Sequence, residues 1–322
     1  MSGNTFAAHK RIMKKLTTII LTIWAMQAVA QNTKPVHISV VQGVSTDGKE
    51  SRNNDYSFSF NLFSGTVNSV RGVEIGSLYN QNEGDMTGYQ TSGLVNYTKG
   101  VVKGYQTAGI SNVSGDVVGF QSAGISNHAQ NVTGVQNAGI YNQAKVLKGL
   151  QIGLINVAET VEKGGGIGLV NLYKNGGYRE IELSVADYQN IGFSFKSGTR
   201  RIYTIVNLGY SFAPKPLLSS GLGLGQLYNL KGNTFLKPEL IIYSYTPDDF
   251  KFEQSVNATR LKLGLMKRIG NVGITLSPSL YFSRVSTISP EEVSEISVFE
   301  PVTIGKIGSW GYGLSFGVSF LK

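Results

Sequence analysis

Seven glycines, at positions 72, 88, 104, 119, 134, 149 and 164, open seven versions of one short phrase. Four are nearly identical: Gly88-Tyr-Gln-Thr-Ser-Gly-Leu-Val-Asn96, Gly104-Tyr-Gln-Thr-Ala-Gly-Ile-Ser-Asn112, Gly119-Phe-Gln-Ser-Ala-Gly-Ile-Ser-Asn127 and Gly134-Val-Gln-Asn-Ala-Gly-Ile-Tyr-Asn142. A fifth, Gly149-Leu-Gln-Ile-Gly-Leu-Ile-Asn156, is one residue shorter, and degenerate versions at Gly72–Asn80 and Gly164–Asn171 flank the set. The period is 15 to 16 residues. Self-similarity at so short a fixed spacing constrains the fold before any other feature does.

A helix pair does not fit into such a period, whereas one coil of a β-solenoid, two short strands and two turns, does. In an extended segment alternate side chains share a face, which puts Gln121, Ala123 and Ile125 together and Phe120, Ser122 and Gly124 opposite. A small residue at the centre of every copy marks close approach of neighbouring backbones. Parallel stacking then makes one column of Gln90, Gln106, Gln121, Gln136 and Gln151 and another of Asn96, Asn112, Asn127, Asn142 and Asn156. Stacked amides can hydrogen-bond along such columns, and degenerate end copies serve as caps. The structural reading of both columns is therefore favoured over a ligand-binding surface. It is also favoured over one membrane strand per copy, because the copies carry few large apolar residues.

The chain before the array divides at residue 30. Lys14 and Lys15 precede an apolar run, Leu16–Met26, and Ala28-Val-Ala30 is a small-x-small cleavage pattern, so residues 1–30 are expected to be a secretory signal, with Met13 an alternative start. Removing Lys10, Arg11, Lys14 and Lys15 from the formal charge of +9 leaves +5, and no basic stripe interleaved with aromatics argues for nucleic acid. The chain has no cysteine, which excludes disulfides, thiolate metal sites and lipid attachment at a cysteine. Residues 31–71 then hold two candidate strands, His37–Ser45 and Tyr56–Phe63. In the second, Tyr56, Phe58, Phe60 and Leu62 alternate with Ser57, Ser59 and Asn61. The pair is expected to belong to a barrel, with Thr46–Asp55 between them an exposed loop.

After the array (residues 72–177), residues 178–322 read as strand and turn throughout. Leu236, Leu240 and Ile242 oppose Lys237, Glu239 and Tyr243. Leu261, Leu263 and Leu265 oppose Arg260, Lys262 and Gly264. Trp310, Tyr312, Leu314, Phe316, Val318 and Phe320 oppose Gly311, Gly313, Ser315, Gly317 and Ser319. Segments of about ten residues with one apolar and one polar or charged face, and aromatic residues such as Tyr245, Tyr281 and Phe282 at their ends, are the pattern of a transmembrane β-barrel. The expected fold class is all-β: a β-solenoid joined to an antiparallel transmembrane barrel of about eight to ten strands. Counting ten, the longest connections, Thr46–Asp55, Thr246–Ala258 and Ser286–Ser309, all run from odd to even strands. That parity puts the array on the periplasmic side or in the lumen.

With the signal, the Gly-x-Gln-x-x-Gly-[Leu/Ile]-x-Asn array and the strand-rich C-terminal region together, the chain resembles bacterial surface-repeat proteins of Gram-negative outer membranes. Its last strand, Gly311–Lys322 with Phe320, is similar to the closing strand of such barrels. The resemblance implies export to the outer membrane, contact with outer-membrane lipid and no enzyme activity.

Catalytic chemistry has little to draw on. The histidines are His9, His37 and His128. His128 follows Asn127 in the array and is expected to be a turn residue. His37 and Ser39 share a strand face, as a hydrolase pair would, but no carboxylate is indicated as third member. Pro290-Glu-Glu-Val-Ser-Glu295 with Glu300 is acidic but lacks the spacing of a calcium loop, and Gly164-Gly-Gly166 lacks the Lys-Ser/Thr of a phosphate loop. No catalytic, cofactor or metal residue is assigned. The expected role is structural, adhesive or interactive, toward a protein or glycan ligand and not a nucleic acid. A narrow channel or transport accessory with the array as plug is the alternative, and an envelope lipid hydrolase a minor one.

Overall fold

The computed structural model describes residues 33–212, 216–247, 255–283, 302–304 and 308–321; the expected signal, residues 1–30, and the acidic run 290–300 lie outside them. The array folds as a parallel β-solenoid. The opening glycines stand in register from coil to coil, Gly72 beside Gly88, then Gly104, Gly119, Gly134, Gly149 and Gly164. The reason for glycine is steric. At Gly104, φ is +126° and a Cβ would lie 2.2 Å from the carbonyl oxygen of Gly88, so both the conformation and the space exclude a side chain. The central glycines meet the same limit: a Cβ on Gly109 would lie 2.0 Å from the Gly93 carbonyl oxygen.

Three features depart from the sequence-based expectation. First, the two early strands belong to the solenoid and not to the barrel. Thr33–Val41 pairs in parallel with Asp55–Asn61, which pairs in parallel with Ser69–Gly76. Period-2 alternation cannot tell which face is inward, and here the polar one is: Ser59 and Asn61 are buried while Leu62 is exposed. A register shift between Tyr56 and Phe58 re-phases the strand and turns Tyr56 inward as well. Second, the intervening loop is folded over the end of the solenoid, with a short 3-10 helix at Gly48–Asn53 and Ser51 buried, its Oγ donating to the Thr66 carbonyl at 2.8 Å. Third, Ile125 does not share the inward face of Gln121 and Ala123. The strand ends at Ala123, and the residue after the central glycine sits on an outer corner, exposed in every coil.

Eight antiparallel strands follow the solenoid: Tyr178–Ala186, Gln189–Gly198, Tyr203–Ser211, Leu217–Gly225, Thr234–Pro247, Val256–Ile269, Val272–Ser283 and Gly308–Leu321. The last pairs with the first, Phe320 beside Ile181, which closes the barrel. Its outward face is apolar: Leu183, Phe193, Leu208, Leu222, Ile242, Leu263, Leu276 and Phe316 are all exposed. Its inward face carries the charges. Small residues leave room for them. A Cβ on Gly313 would lie 2.4 Å from the Arg260 guanidinium, and one on Gly317 would lie 3.0 Å from the Glu182 carboxyl carbon. The alternating glycines of the closing strand are thus the complement of large side chains reaching across from other strands.

Candidate functional site

Two hydrogen-bonded columns run the length of the solenoid interior. Each glutamine Nε2 donates to the Oε1 one coil earlier: Gln151 to Gln136 at 2.8 Å, Gln136 to Gln121 at 2.9 Å, Gln121 to Gln106 at 2.8 Å and Gln106 to Gln90 at 2.7 Å. Each asparagine Nδ2 donates the opposite way, one coil later: Asn96 to Asn112 at 2.9 Å, Asn112 to Asn127 at 2.9 Å, Asn127 to Asn142 at 3.0 Å and Asn142 to Asn156 at 2.9 Å. The second asparagine proton holds its own coil, as in Asn112 to the Ser122 carbonyl at 2.6 Å. All ten amides have zero exposure. A surface role for these columns has no surface to act on, while a buried amide left without partners would cost about 1–3 kcal/mol.

A one-way chain of donors needs an acceptor at one end and a donor at the other. The glutamine column ends on a carboxylate: Gln90 Nε2 donates to Glu74 Oε2 at 2.8 Å. Glu74 occupies the glutamine slot of the degenerate first copy and also accepts from Asn61 Nδ2 at 3.2 Å. Burial pushes its pKa up to about 6 against those hydrogen bonds. Beyond it in the same column stand Ser59 and His37, whose Nδ1 lies 3.2 Å from Ser59 Oγ. Burial lowers the His37 pKa, with Asp47 acting weakly in the other direction. At the far end Gly166 takes the glutamine slot, and the Tyr173 hydroxyl fills the room.

The asparagine column ends on the barrel. Asn156 donates to Asn171 at 2.8 Å, and Asn171 Nδ2 donates to Thr204 Oγ1 at 2.7 Å and to the Ser197 carbonyl at 3.1 Å. Ser197 and Thr204 are cross-strand partners on neighbouring barrel strands. Thr199 Oγ1 donates to the Gly164 carbonyl at 2.9 Å. The turn that joins two barrel strands is therefore the cap of the solenoid, and it lies at the barrel end that also holds residues 178 and 321. The other end carries the long connections 248–255 and 284–307.

Inside the barrel, three lysines meet three glutamates. Lys196 Nζ lies 2.9 Å from Glu182 and 2.7 Å from Glu239. Lys237 Nζ lies 2.6 Å from Glu180 and 3.2 Å from Glu182. Lys262 is 3.9 Å from Glu239. Tyr203 donates to Glu239 at 2.9 Å, and the Tyr178 hydroxyl donates to Glu180. Further along, the Arg260 guanidinium is held between the rings of Tyr188 and Tyr281, 3.7 and 4.7 Å from their centroids. The charges neutralise one another and fill the lumen between the strands, as side chains fill small barrels generally. The array lies outside this lumen and does not plug it.

The proposed hydrolase residues are not brought together as a reactive pair. Ser39 Oγ donates to the Ser64 carbonyl at 2.8 Å, and His37 faces Ser59 instead. Both are buried, with the His37 ring 4.8 Å from that of Tyr56. The order along the column, His37, Ser59, Glu74, puts the hydroxyl and not the imidazole in the middle, so the carboxylate cannot orient the histidine as an acyl-transfer base requires. His128 is a surface residue of its coil, 3.1 Å from Gln143 Oε1 and against Tyr141. Among the described residues no cluster of three or more His, Cys, Asp or Glu could hold a metal. Glu74 was missed in the sequence, although its place in the glutamine slot of the degenerate first copy was a signal that could have found it. Asn171 was read only as the last residue of a degenerate copy, and its link to Ser197 and Thr204 was not legible, because nothing local joins a repeat to a barrel strand.

No family model and no curated protein matches the chain. Among solved structures, the N-terminal β-barrel domain of Pseudomonas aeruginosa OprF aligns with 45% of this chain and 96% of its own length, at 12% identity and a TM-score of 0.28. The barrel described above rests on its own strand pairing, not on that superposition.

Proposed function

We propose that this protein is a non-enzymatic outer-membrane anchor that carries a rigid solenoid for structural or binding work in the cell envelope. The observation that carries the reading is the inside-out barrel: apolar side chains outward, ion-paired Lys196, Lys237, Lys262, Glu180, Glu182 and Glu239 inward. In water that distribution leaves a continuous belt of exposed Leu, Ile and Phe; in lipid it is the stable arrangement. The filled lumen weighs against conduction. Eight strands keep the parity expected from ten, because the two that join the solenoid leave the count as a pair. The solenoid therefore belongs with the barrel termini and short turns, on the periplasmic side.

The binding role rests on a second feature. Leu78, Leu94, Ile110, Ile125, Ile140, Leu154 and Leu169 recur once per coil, each 40–47% exposed. With rungs about 4.8 Å apart they form one apolar ridge along the solenoid. Such a ridge suits an elongated protein partner better than a glycan, which takes polar contacts and aromatic faces.

Fractionation and topology test this. The full-length protein should stay in the membrane pellet after alkaline washing. A protease site placed in the Gln42-Gly43 turn should be cut only after the outer membrane is opened, and one placed in the segment 248–254 should be cut on intact cells. Release with soluble proteins would end the anchor reading, and cleavage at Gln42-Gly43 on intact cells would put the solenoid outside.

A further inference from the structure

The barrel end that holds the solenoid has a one-sided charge. Its cations are Arg179, Arg200, Arg201, Lys231, Lys267 and Arg268, and the turns that make it, residues 199–202, 226–233 and 270–271, contain no Asp or Glu. Arg200, Arg201, Lys231 and Lys267 are exposed, and Arg179 and Arg268 are half-buried. None of the six lies within ion-pair distance of a carboxylate among the described residues, in contrast to the lysines of the lumen. Lys267 and Arg268 only touch turn carbonyls, those of Gly232 and Gly270, at 2.7 and 2.8 Å. The connections at the opposite end are acid-rich: Asp248, Asp249, Glu253, Glu291, Glu292, Glu295 and Glu300 against Lys215, Lys251, Arg284 and Lys306.

The cations stand at the edge of the apolar belt, interleaved with exposed Ile269, Tyr228 and Leu230. On the first barrel strand the outward positions read Arg179, Ile181, Leu183, Val185; on the sixth they read Leu261, Leu263, Leu265, Lys267, Ile269. The solenoid adds walls. A recess of about 310 Å³ between its last coils and the barrel turn is lined by Lys163, Gly164, Thr199, Arg200 and Arg201. A second, of about 630 Å³, has Lys145, Lys174 and Arg179 with one acid, Glu159. Glu162 also lines the first recess, and its carboxylate is already paired with Lys148 at 3.0 Å.

Cationic recesses that run along the last solenoid coils to the edge of an apolar belt match one amphiphilic chemistry: a phosphate joined to acyl chains. We infer that this collar binds anionic phospholipid of the leaflet facing the solenoid, headgroup phosphates in the two recesses and acyl chains along the outward positions above Arg179, Ile181 and Leu183. The inference rests on the membrane reading above. An acidic soluble partner would match the charge but leave the adjoining apolar positions unexplained. Each Lys or Arg near an anionic bilayer surface favours binding by about fivefold.

The test uses the full-length protein inserted into vesicles of phosphatidylethanolamine with a minor fraction of phosphatidylglycerol, then extracted gently and weighed intact with its retained lipids. Phosphatidylglycerol should be enriched about tenfold or more over its share of the bilayer. The Arg200→Gln/Arg201→Gln variant and the Arg179→Gln/Lys267→Gln variant should each lose most of that enrichment while still inserting, as judged by protease protection and heat-modifiable migration. Retained lipid at the bulk ratio, or enrichment unchanged in both variants, overturns the collar. Failure of the wild-type protein to insert in any vesicle overturns the membrane reading and the collar with it. Insertion with bulk lipid overturns the collar alone. Capture of inorganic phosphate without lipid enrichment also overturns it, since the site would then be a plain anion site.

Discussion

Gln90 donates its Nε2 proton to Glu74 Oε2 at 2.8 Å, so the glutamine ladder ends on a carboxylate that can only accept. An amide there would continue the chain of donors and need a further acceptor. The carboxylate stops it, at the cost of one charge buried in the solenoid.

That charge makes stability depend on pH. The folded-state pKa of Glu74 is raised from 4.5 to about 6. The native state then holds the proton more tightly than the unfolded one, so this group's contribution is fully present below pH 4.5 and is lost as pH rises through about 6. The loss is about 2 kcal/mol. His37 acts oppositely: its lowered pKa gives stability that is present above 6.5 and is lost as pH falls through the folded value. The two act in opposite directions in the wild-type protein. Glu74→Gln should be more stable than wild type at pH 7 to 8 and should expose the His37 limb, with stability rising up to pH 6.5. Thermal unfolding of the solenoid followed by far-ultraviolet circular dichroism from pH 5 to 8 reads both effects. A profile parallel to wild type would refute the assignment.

Breaking the ladder in the middle should cost more than breaking its end. Gln121→Leu removes the donor to Gln106 Oε1 and the acceptor of Gln136 Nε2. Gln106 Oε1 and Gln136 Nε2 each keep one longer bond, with Ser114 Oγ at 3.3 Å and the Gln143 carbonyl at 3.2 Å, so the loss should be about 1–3 kcal/mol. Chemical denaturation should register that loss, and hydrogen exchange should place it in the coils on either side of Gln121.

Two glycines with positive φ should respond differently to alanine. At Gly104 a Cβ meets the Gly88 carbonyl oxygen at 2.2 Å, whereas at Gly232 nothing lies within 4 Å. Gly232→Ala should cost about 1 kcal/mol for the backbone alone. Gly104→Ala must also push neighbouring coils apart and should exceed 4 kcal/mol, in the class of severe defects. Comparable midpoints for the two variants in urea would contradict the packing described.

Within the barrel, Lys237→Met removes a cation that lies within 3.2 Å of both Glu180 and Glu182. Leaving those carboxylates unbalanced should destabilise the refolded barrel by about 3–5 kcal/mol. The double variant Lys237→Met/Glu180→Leu restores charge balance and should recover much of that loss. Urea-induced unfolding, read by loss of heat-modifiable migration, compares the three proteins.

Capping is the last case. Asn171→Ala removes the donor to Thr204 Oγ1 and the Ser197 carbonyl. Exchange of backbone amides in residues 155–175 should accelerate by about tenfold or more, the equivalent of one or two lost hydrogen bonds at about 1.4 kcal/mol per decade, while the barrel strands beyond Leu217 should keep their protection.

Much of the fold was legible because periodicity reports on local geometry. The glycine spacing defines coils, and the strict return of Gln and Asn requires stacking. The dyad pattern of residues 178–322 also marked the strands that hold Lys237, Lys262 and Phe316. Legibility failed where a pattern is symmetric with respect to inside and outside. Tyr56, Phe58 and Phe60 alternate with serines as a barrel strand would, yet Ser59 and Asn61 face the core because the amide columns run through it beside an apolar column of Val70, Met86, Val102 and Val117. Ile125 looked inward by alternation and is outward because the strand turns after Ala123.

By itself, then, the sequence determined a solenoid, its coil boundaries, the two amide columns and a set of antiparallel strands with one charged face, since each follows from spacing along the chain. Only the tertiary structure decided that the early strands join the solenoid, that Glu74 and Asn171 terminate opposite ladders, and that a barrel turn caps the last coil. It also gathered Arg179, Arg200, Arg201 and Lys267 into one rim. Those relations join residues tens of positions apart, through space, where sequence spacing carries no signal.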